Sequence, residues 1–352
     1  MPIRRPAAAD ASRPLVQRNP GSAPDEAWRE RATDHFDPAA QRFFNPWKDT
    51  RKSVTDLLRW WATADRRPWP AEIANTAHPP PPEAVEPGHV AVTFIGHASF
   101  LARFDGVTLL TDPHFSSHAG LFGRLGTPRV RASGLVPDDL PPIDFVFVSH
   151  NHYDHLDLTS LQWLDEHRSP CFVTCLGLRR FLEREGLRRV VELDWWERAA
   201  EGDVTFTVTP SQHWSNRTML DRDATLWGGC HVAHRDGATL YFAGDSGYAP
   251  CFAEIHARLG PPGAALLPIG AYEPRWLMRD HHMNPDEAVR AHLDLHARVS
   301  VAMHFGVFRL TDEGFDDPVG ELDTARRRHG IAAGAFRVLD VGETTILGAG
   351  PQ

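Results

Sequence analysis

The chain has 352 residues, long enough for one large domain with an N-terminal extension and a sizeable core. Its net charge of −9, with acids and bases interspersed, lacks the basic footprint of a nucleic-acid binder and argues against a nuclease. No run approaches the roughly 18 uninterrupted apolar residues of a membrane span, and Met1–Pro2–Ile3–Arg4–Arg5–Pro6 has no apolar core of signal-peptide length. Cys171, Cys175, Cys230 and Cys251 make no zinc-finger spacing and read as reduced thiols. The expectation is a cytoplasmic protein, peripheral to a membrane at most, with no nucleic-acid partner.

Residues 1–40, rich in Ala, Pro, Arg and Asp, predict a disordered or loosely attached tail. Residues 41–88 predict a helical extension ending in a stiff Pro-rich linker from His78 to Gly88. Within it Val54, Leu57, Leu58 and Trp61 recur at helical spacing, with Trp47, Trp60 and Trp69 nearby. Packing of that face on the main domain is the preferred reading. Beside Lys48, Arg51, Lys52 and Arg59, the alternative is a membrane interface or an acyl-chain groove. The main domain, 89–352, begins with Val92–Ile95 and Val107–Leu110 flanking an expected hairpin at Asp105–Gly106. Helices are expected at 157–167, 176–186, 250–259, 285–297 and 319–329; Asn284, Pro285 and Glu287 form a start signal for the fourth. This alternation gives a mixed α/β class.

Among 20 histidines, those of Ser149–His150–Asn151–His152–Tyr153–Asp154–His155 stand out. They follow the β-branched and aromatic run Val146–Phe147–Val148 as an HxHxDH motif. His150 and His152, on alternate positions, project to the same side and can share a metal, while Asp154 and His155 can serve a second. Nitrogen and carboxylate donors suit zinc. Further ligand candidates end other apolar strands: His213 after Val204–Thr209, Asp245 after Thr239–Ala243, and His304 after Val299–Met303. Asp112, at the end of another strand and before Pro113, could be a turn former. Basic clusters at Arg124, Arg129 and Arg131, and at Arg275 and Arg279, read as solvated surface, with a phosphate contact as the alternative.

These blocks resemble the metallo-β-lactamase superfamily and, more narrowly, its N-acylphosphatidylethanolamine-hydrolysing phospholipase D family. The resemblance runs from Phe44–Asn45–Pro46–Trp47 to about Gly342 through Gly96–His97–Ala98 and Leu110–Thr111–Asp112–Pro113. HxHxDH marks only the superfamily; ELDWW at Glu192–Trp196, TPSQHW at Thr209–Trp214 and GAYEPRW at Gly270–Trp276 are more specific. The resemblance implies an αββα sandwich and two zinc ions. His150, His152 and His213 would hold one and Asp154, His155 and His304 the other, with Asp245 bridging. It implies Asp112 as an orienting acid and His282 as a substrate-contacting, catalytic candidate. Arg275, Tyr272, His281 and His97 are candidate substrate contacts.

The chemistry follows from charge. Two Zn²⁺ ions against Asp154, Asp245 and a bridging hydroxide leave roughly one net positive charge, which attracts an anion. Zinc lowers the pKa of bound water to roughly 7 and the pair can stabilise in-line displacement at phosphorus. The expected activity is hydrolysis of a phosphodiester, foremost an N-acylated phosphoethanolamine lipid, with Asp245 or the hydroxide handling the proton. Alternatives are another hydrolase of this fold, such as a sugar-phosphate lactonase, or a non-catalytic lipid- or phosphate-binding protein. His152, where oxidoreductases of this fold carry an acid, favours zinc over di-iron. Sequence leaves the oligomeric state open.

Overall fold

Strand Phe145–Val148 shows how the layers arise. All four side chains are buried, so both of its faces are covered. Phe145 and Phe147 point to a second sheet, their rings 4.9 Å from Phe206 and 6.0 Å from Phe242. Val146 and Val148 face the other way, into a cluster with Leu161 and Leu164 of helix Leu158–His167 and Leu182 of helix Arg179–Arg184. On the far side, helices Cys251–Leu259 and Pro285–Asp294 bury Phe252, Ile255, Ala288 and Val289 against the second sheet. The result is an αββα sandwich in a computed structural model that describes residues 16–18, as backbone, and 34–348.

The first sheet has seven strands, ordered Val190–Leu193, Cys171–Cys175, Phe145–Val148, Val107–Thr111, Ser99–Phe104, His89–Gly96 and Thr344–Gly348. The second has eight, ordered Val16–Arg18, Glu197–Glu201, Val204–Thr209, Gly229–His234, Thr239–Phe242, Ala264–Pro268, Val299–Met303 and Phe336–Arg337. Phe145–Val148 runs parallel to Val107–Thr111 with Thr111 opposite Phe147. Asp112 therefore emerges beside Ser149, where its N–H donates to the Phe147 carbonyl at 2.9 Å. In the second sheet Thr239–Phe242, Ala264–Pro268 and Val299–Met303 are also mutually parallel. Their carboxyl ends deliver Asp245, Gly270 and His304 to the same edge of the sandwich.

The five expected helices form, as Leu158–His167, Arg179–Arg184, Cys251–Leu259, Pro285–Asp294 and Asp317–His329. Asn284 and Glu287 make the reciprocal capping box. Three expectations need correction. The hairpin at Asp105–Gly106 joins Val107–Thr111 to Ser99–Phe104; Val92–Ile95 is the partner beyond, paired to the same middle strand. Residues 34–40, expected in the loose tail, include His35, which is buried and bonded to Asp194 at 2.7 Å, and buried Phe36. The rest of the expected tail, apart from 16–18, lies outside the described residues. The Pro-rich segment is held to the domain, through Val85, which is buried, and through the Arg103 guanidinium, which donates to the Pro82 carbonyl at 2.6 Å.

The third correction concerns helix Val54–Thr63, capped by Ser53 and Asp56. Its apolar stripe does not pack on the domain: Leu58 is 60 % exposed and Trp61 78 %. The attached face is the other one. There the Trp60 indole N–H donates to Asp312 at 2.9 Å and the Arg59 guanidinium stacks on Trp276 at 4.6 Å. Specific polar partners, not burial of the stripe, set the rotation of this helix.

Candidate metal centre

After Val148 the chain leaves the sheet and turns at once, the N–H groups of His155 and Leu156 both donating to the His152 carbonyl. The turn folds Asp154 and His155 back beside His150. His150 Nε2 and His152 Nδ1 are 2.8 Å apart, and His213 Nε2 is 3.2 Å from the same His152 atom. Around the corner, His155 Nε2 and His304 Nε2 are 3.2 Å apart, with Asp154 Oδ2 at 3.4 Å from the first and 3.3 Å from the second. Donor atoms bonded to one tetrahedral zinc lie about 3.3 Å from each other, given bonds of 2.0–2.1 Å. The second trio matches that spacing and the first comes within about 0.5 Å of it, and facing ring nitrogens are better explained by a shared cation than by shared protons.

Asp245 touches both trios. Its Oδ2 is 3.1 Å from His155 Nε2 and 3.7 Å from His213 Nε2, and its Oδ1 is 3.2 Å from His304 Nε2. That last pair lies outside hydrogen-bond geometry, as two ligands of one ion would. His282 completes the rim, its Nδ1 3.9 Å from Asp245 and its ring 5.1 Å from that of His213 and 5.5 Å from that of His304.

A second layer fixes these side chains. Asp112 Oδ2 accepts from His155 Nδ1 at 2.7 Å and from the Ser149 hydroxyl at 2.6 Å, and its Oδ1 accepts from the Ser149 N–H. The same hydroxyl lies 2.9 Å from His150 Nδ1. His213 Nδ1 is paired with the His281 carbonyl at 2.9 Å, so His281 contributes its backbone. His97 Nε2 is 3.0 Å from Asp154 Oδ2. Such partners set the tautomer and orientation of a ligand. His97, Asp112 and His304 all adopt left-handed backbone, φ 59°, 34° and 63°, a strain that L residues hold only where neighbours impose it. Gly270 lies so close to His304 that a Cβ would come 2.0 Å from its carbonyl oxygen.

Electrostatics separate the trios. Burial, reinforced by neighbouring imidazoles, holds His150 and His213 well below the usual histidine range, and burial takes His152 down to about 4. These rings are neutral, as metal ligands must be. His304 moves up to about 9 because Asp245 and Asp154 together outweigh burial, and His155 rises for the same reason. Asp154 and Asp245 stay well below the usual carboxylate range despite burial, held there chiefly by His155.

A sequence profile of the beta-lactamase superfamily domain matches residues 108–305. An N-acyl-phosphatidylethanolamine-hydrolyzing phospholipase D 1 of Caenorhabditis elegans is 35 % identical over 264 residues, 71 % of this chain and 74 % of the relative. The chain belongs to the N-acylphosphatidylethanolamine-hydrolysing phospholipase D family of the metallo-β-lactamase superfamily. An uncharacterised protein of Mycobacterium tuberculosis is 34 % identical over 90 % of this chain and 83 % of its own length. Among solved structures, an isothiocyanate hydrolase from Delia radicum gut bacteria shares the fold, with TM-score 0.59 and 21 % identity over 74 % of this chain and all of that one. The protein is a metal-dependent hydrolase of this fold.

The family-specific blocks serve the scaffold. In ELDWW, Glu192 accepts from the Gly177 N–H, Asp194 holds His35, and the Trp195 indole donates to the Trp227 carbonyl. In TPSQHW, Gln212 takes the Ser246 hydroxyl on its N–H and donates to the carbonyls of Lys48 and Asp280, stitching the His213 loop to the Asp245 loop. GAYEPRW does not bring its two candidate substrate contacts to the ligands. The Arg275 guanidinium donates to Glu287 at 2.6 Å and to the His282 carbonyl at 2.9 Å, bracing that loop. Tyr272 is buried, and burial with Glu321 nearby pushes its pKa up. Sequence reasoning missed the role of Asn45, whose amide N–H donates to the His213 carbonyl at 2.6 Å while its oxygen accepts from the His213 N–H at 3.2 Å. It also missed Ser149. Tyr153 lies under the Arg217 guanidinium at 4.2 Å, a packing role. Arg129 donates to the His114 carbonyl, and burial lowers it to about 10. All four cysteines are buried and free.

Proposed function

We propose that this protein is a dinuclear zinc phosphodiester hydrolase that cleaves an N-acylphosphatidylethanolamine-type phospholipid in phospholipase D fashion. The observation that carries this reading is Asp245 within reach of two nitrogen-rich trios, so that seven side chains can hold two ions at once. The family relatives named for that activity supply the substrate class. His150, His152 and His213 would hold the first ion, Asp154, His155 and His304 the second, and Asp245 both. Zinc ions there would supply Lewis acidity and a water acidified towards neutral pH.

The chain's own groups do the rest. Asp112 keeps His155 Nδ1 protonated and its Nε2 directed inward. Burial strengthens every charge in the centre by excluding water. His282, neutral because burial lowers it, stands beside Asp245, where it can contact the phosphoryl group or its leaving oxygen. Arg275 holds the His282 carbonyl and so positions that ring.

A phosphodiester arrives with charge and gains more on its equatorial oxygens as it is attacked, whereas a lactone starts neutral. The anion should therefore be preferred. The test is a metal analysis plus a substrate panel on one purified preparation. Close to two zinc ions per chain, with cleavage of bis(p-nitrophenyl) phosphate and an N-acylphosphatidylethanolamine ahead of lactones and thioesters, is expected. Faster turnover of simple lactones would refute the phospholipase reading while leaving the ligands in place.

A further inference from the structure

Two of the arginines that the sequence offered as phosphate contacts are engaged elsewhere. Arg129 donates to the Ser133 hydroxyl and the His114 carbonyl, and Arg275 to Glu287 and the His282 carbonyl. Arg309, five residues after His304, differs. Its guanidinium has no hydrogen bond or ion pair among the described residues, and its Nε is shielded from solvent without a partner. A buried donor left unmade is costly unless a ligand or water meets it.

Arg309 lines a cavity of about 210 Å³ together with Arg66, Thr127, Leu310 and Thr311, and no carboxylate lines it. The wall is held from several sides. Phe308 bridges to Arg129, and the Val130 N–H donates to the Val307 carbonyl at 2.9 Å. Leu310 packs on Ala119, Val307 and Phe308, and Thr127 lies on strand Leu125–Pro128, opposite Ala119 of strand His118–Leu121. Thr311 is 6 % exposed and gives its hydroxyl proton to Glu313 at 2.6 Å. The Thr127 hydroxyl has no partner among the described residues and can donate. Arg66 reaches Asp312 at 3.7 Å, and that carboxylate already accepts from the Trp60 indole at 2.9 Å.

We infer that this cavity is an anion site for a phosphate group, carried by a small phosphomonoester or present as orthophosphate itself. Two guanidiniums against the carboxylate of Asp312 leave the site net positive in a chain whose net charge is −9. Guanidinium forks bind phosphate oxygens in pairs, and donors from three separate segments suit a tetrahedral ion whose oxygens point to several sides. A planar carboxylate would satisfy one fork. Water occupies about 30 Å³ per molecule in the liquid, so the cavity has room for a phosphate group with part of its hydration. None of the seven proposed metal ligands lines it; the link to the centre is Phe308, whose ring lies 5.1 Å from that of His97. Binding here does not depend on what the metal centre hydrolyses.

Calorimetric titration of the full-length, zinc-loaded protein with orthophosphate should show a binding component that weakens about tenfold or more in Arg309→Gln and in Arg66→Gln. Orthophosphate should also raise the thermal midpoint of the wild type more than that of either variant. Metal content, and the rate on bis(p-nitrophenyl) phosphate in phosphate-free buffer, should be the same in all three proteins, which separates this site from phosphate bound at zinc. Asp312→Asn removes the competing carboxylate and should tighten binding about threefold or more. Soluble dihexanoyl phosphatidic acid distinguishes the two sources of the phosphate group. Arg309-dependent binding tighter than that of glycerol 3-phosphate assigns the site to a lipid head group, and binding no tighter assigns it to a free phosphomonoester. Undiminished phosphate binding by Arg309→Gln, equal binding of acetate, or no binding by the wild type at about 10 mM orthophosphate would overturn the inference.

Discussion

His150, His152 and His213 bring together three nitrogens whose protons burial has already removed, whereas Asp154, His155 and His304 combine a carboxylate with two imidazoles that hold protons in the metal-free protein. The spacing of the two trios is nearly the same; their charge is not. The cause is position. Asp154 lies in the second trio and Asp245 stands closer to it, 3.1 Å from His155 against 3.7 Å from His213. The first trio can take a cation without losing protons, while the second exchanges protons for it. On the proposed two-metal reading, filling of the first site would depend less on pH than filling of the second.

The contrast breaks most completely at Asp245. Asp245→Asn removes the carboxylate placed to ligate in both trios, so zinc should fall from about two per chain towards none. Loss of the several kcal/mol that metal contributes should lower kcat/KM about a thousandfold or more. Retention of two ions by this variant, read by elemental analysis, would show that the trios are independent. Asp112→Asn sharpens the contrast, because Asp112 bonds His155 and reaches the first trio only through Ser149. Zinc affinity should drop about 10- to 100-fold at one site while the other stays filled; equal loss at both would contradict the division.

The smallest effect is on stability against pH. His304 is raised from 6.5 to about 9 in the metal-free fold, so its ion pairs with Asp154 and Asp245 stabilise fully below about pH 6.5 and are lost as pH rises through about 9. His155 shifts in the same direction. The Tm of chelator-treated protein should fall across that window and that of the zinc-loaded protein should not. Parallel melting curves would mean that the second trio carries no such protons.

Much of the centre was legible because its signals are local. HxHxDH places four donors within six residues, and Asp112, His213, Asp245 and His304 each follow an apolar strand. The capping box at Asn284 was legible for the same reason. What sequence could not supply were choices made over distance. Periodicity marked the stripe on helix Val54–Thr63 but does not say which face turns inward; Asp312, 252 residues from Trp60, decides that. Strand Ser99–Phe104 escaped notice because Arg103 interrupts its apolar run, and its charge is met by a carbonyl of the Pro-rich segment. Arg275 and Tyr272 have residue types that suit an anion and a hydroxyl contact, yet Glu287 and the His282 carbonyl engage Arg275, and Tyr272 is buried with Glu321 nearby.

The Asn45 clamp on His213 bears on what counts as an independent folding unit. All seven proposed ligands fall within the matched region, 108–305, so a fragment cut there would look chemically complete. It would lack the amide that grips His213 on both sides, strand His89–Gly96, and His97 against Asp154. The region matched by the superfamily profile is thus smaller than the part of the chain that holds the centre, and an insertion, a truncation or a fusion junction placed before residue 108 reaches the metal centre from outside that region.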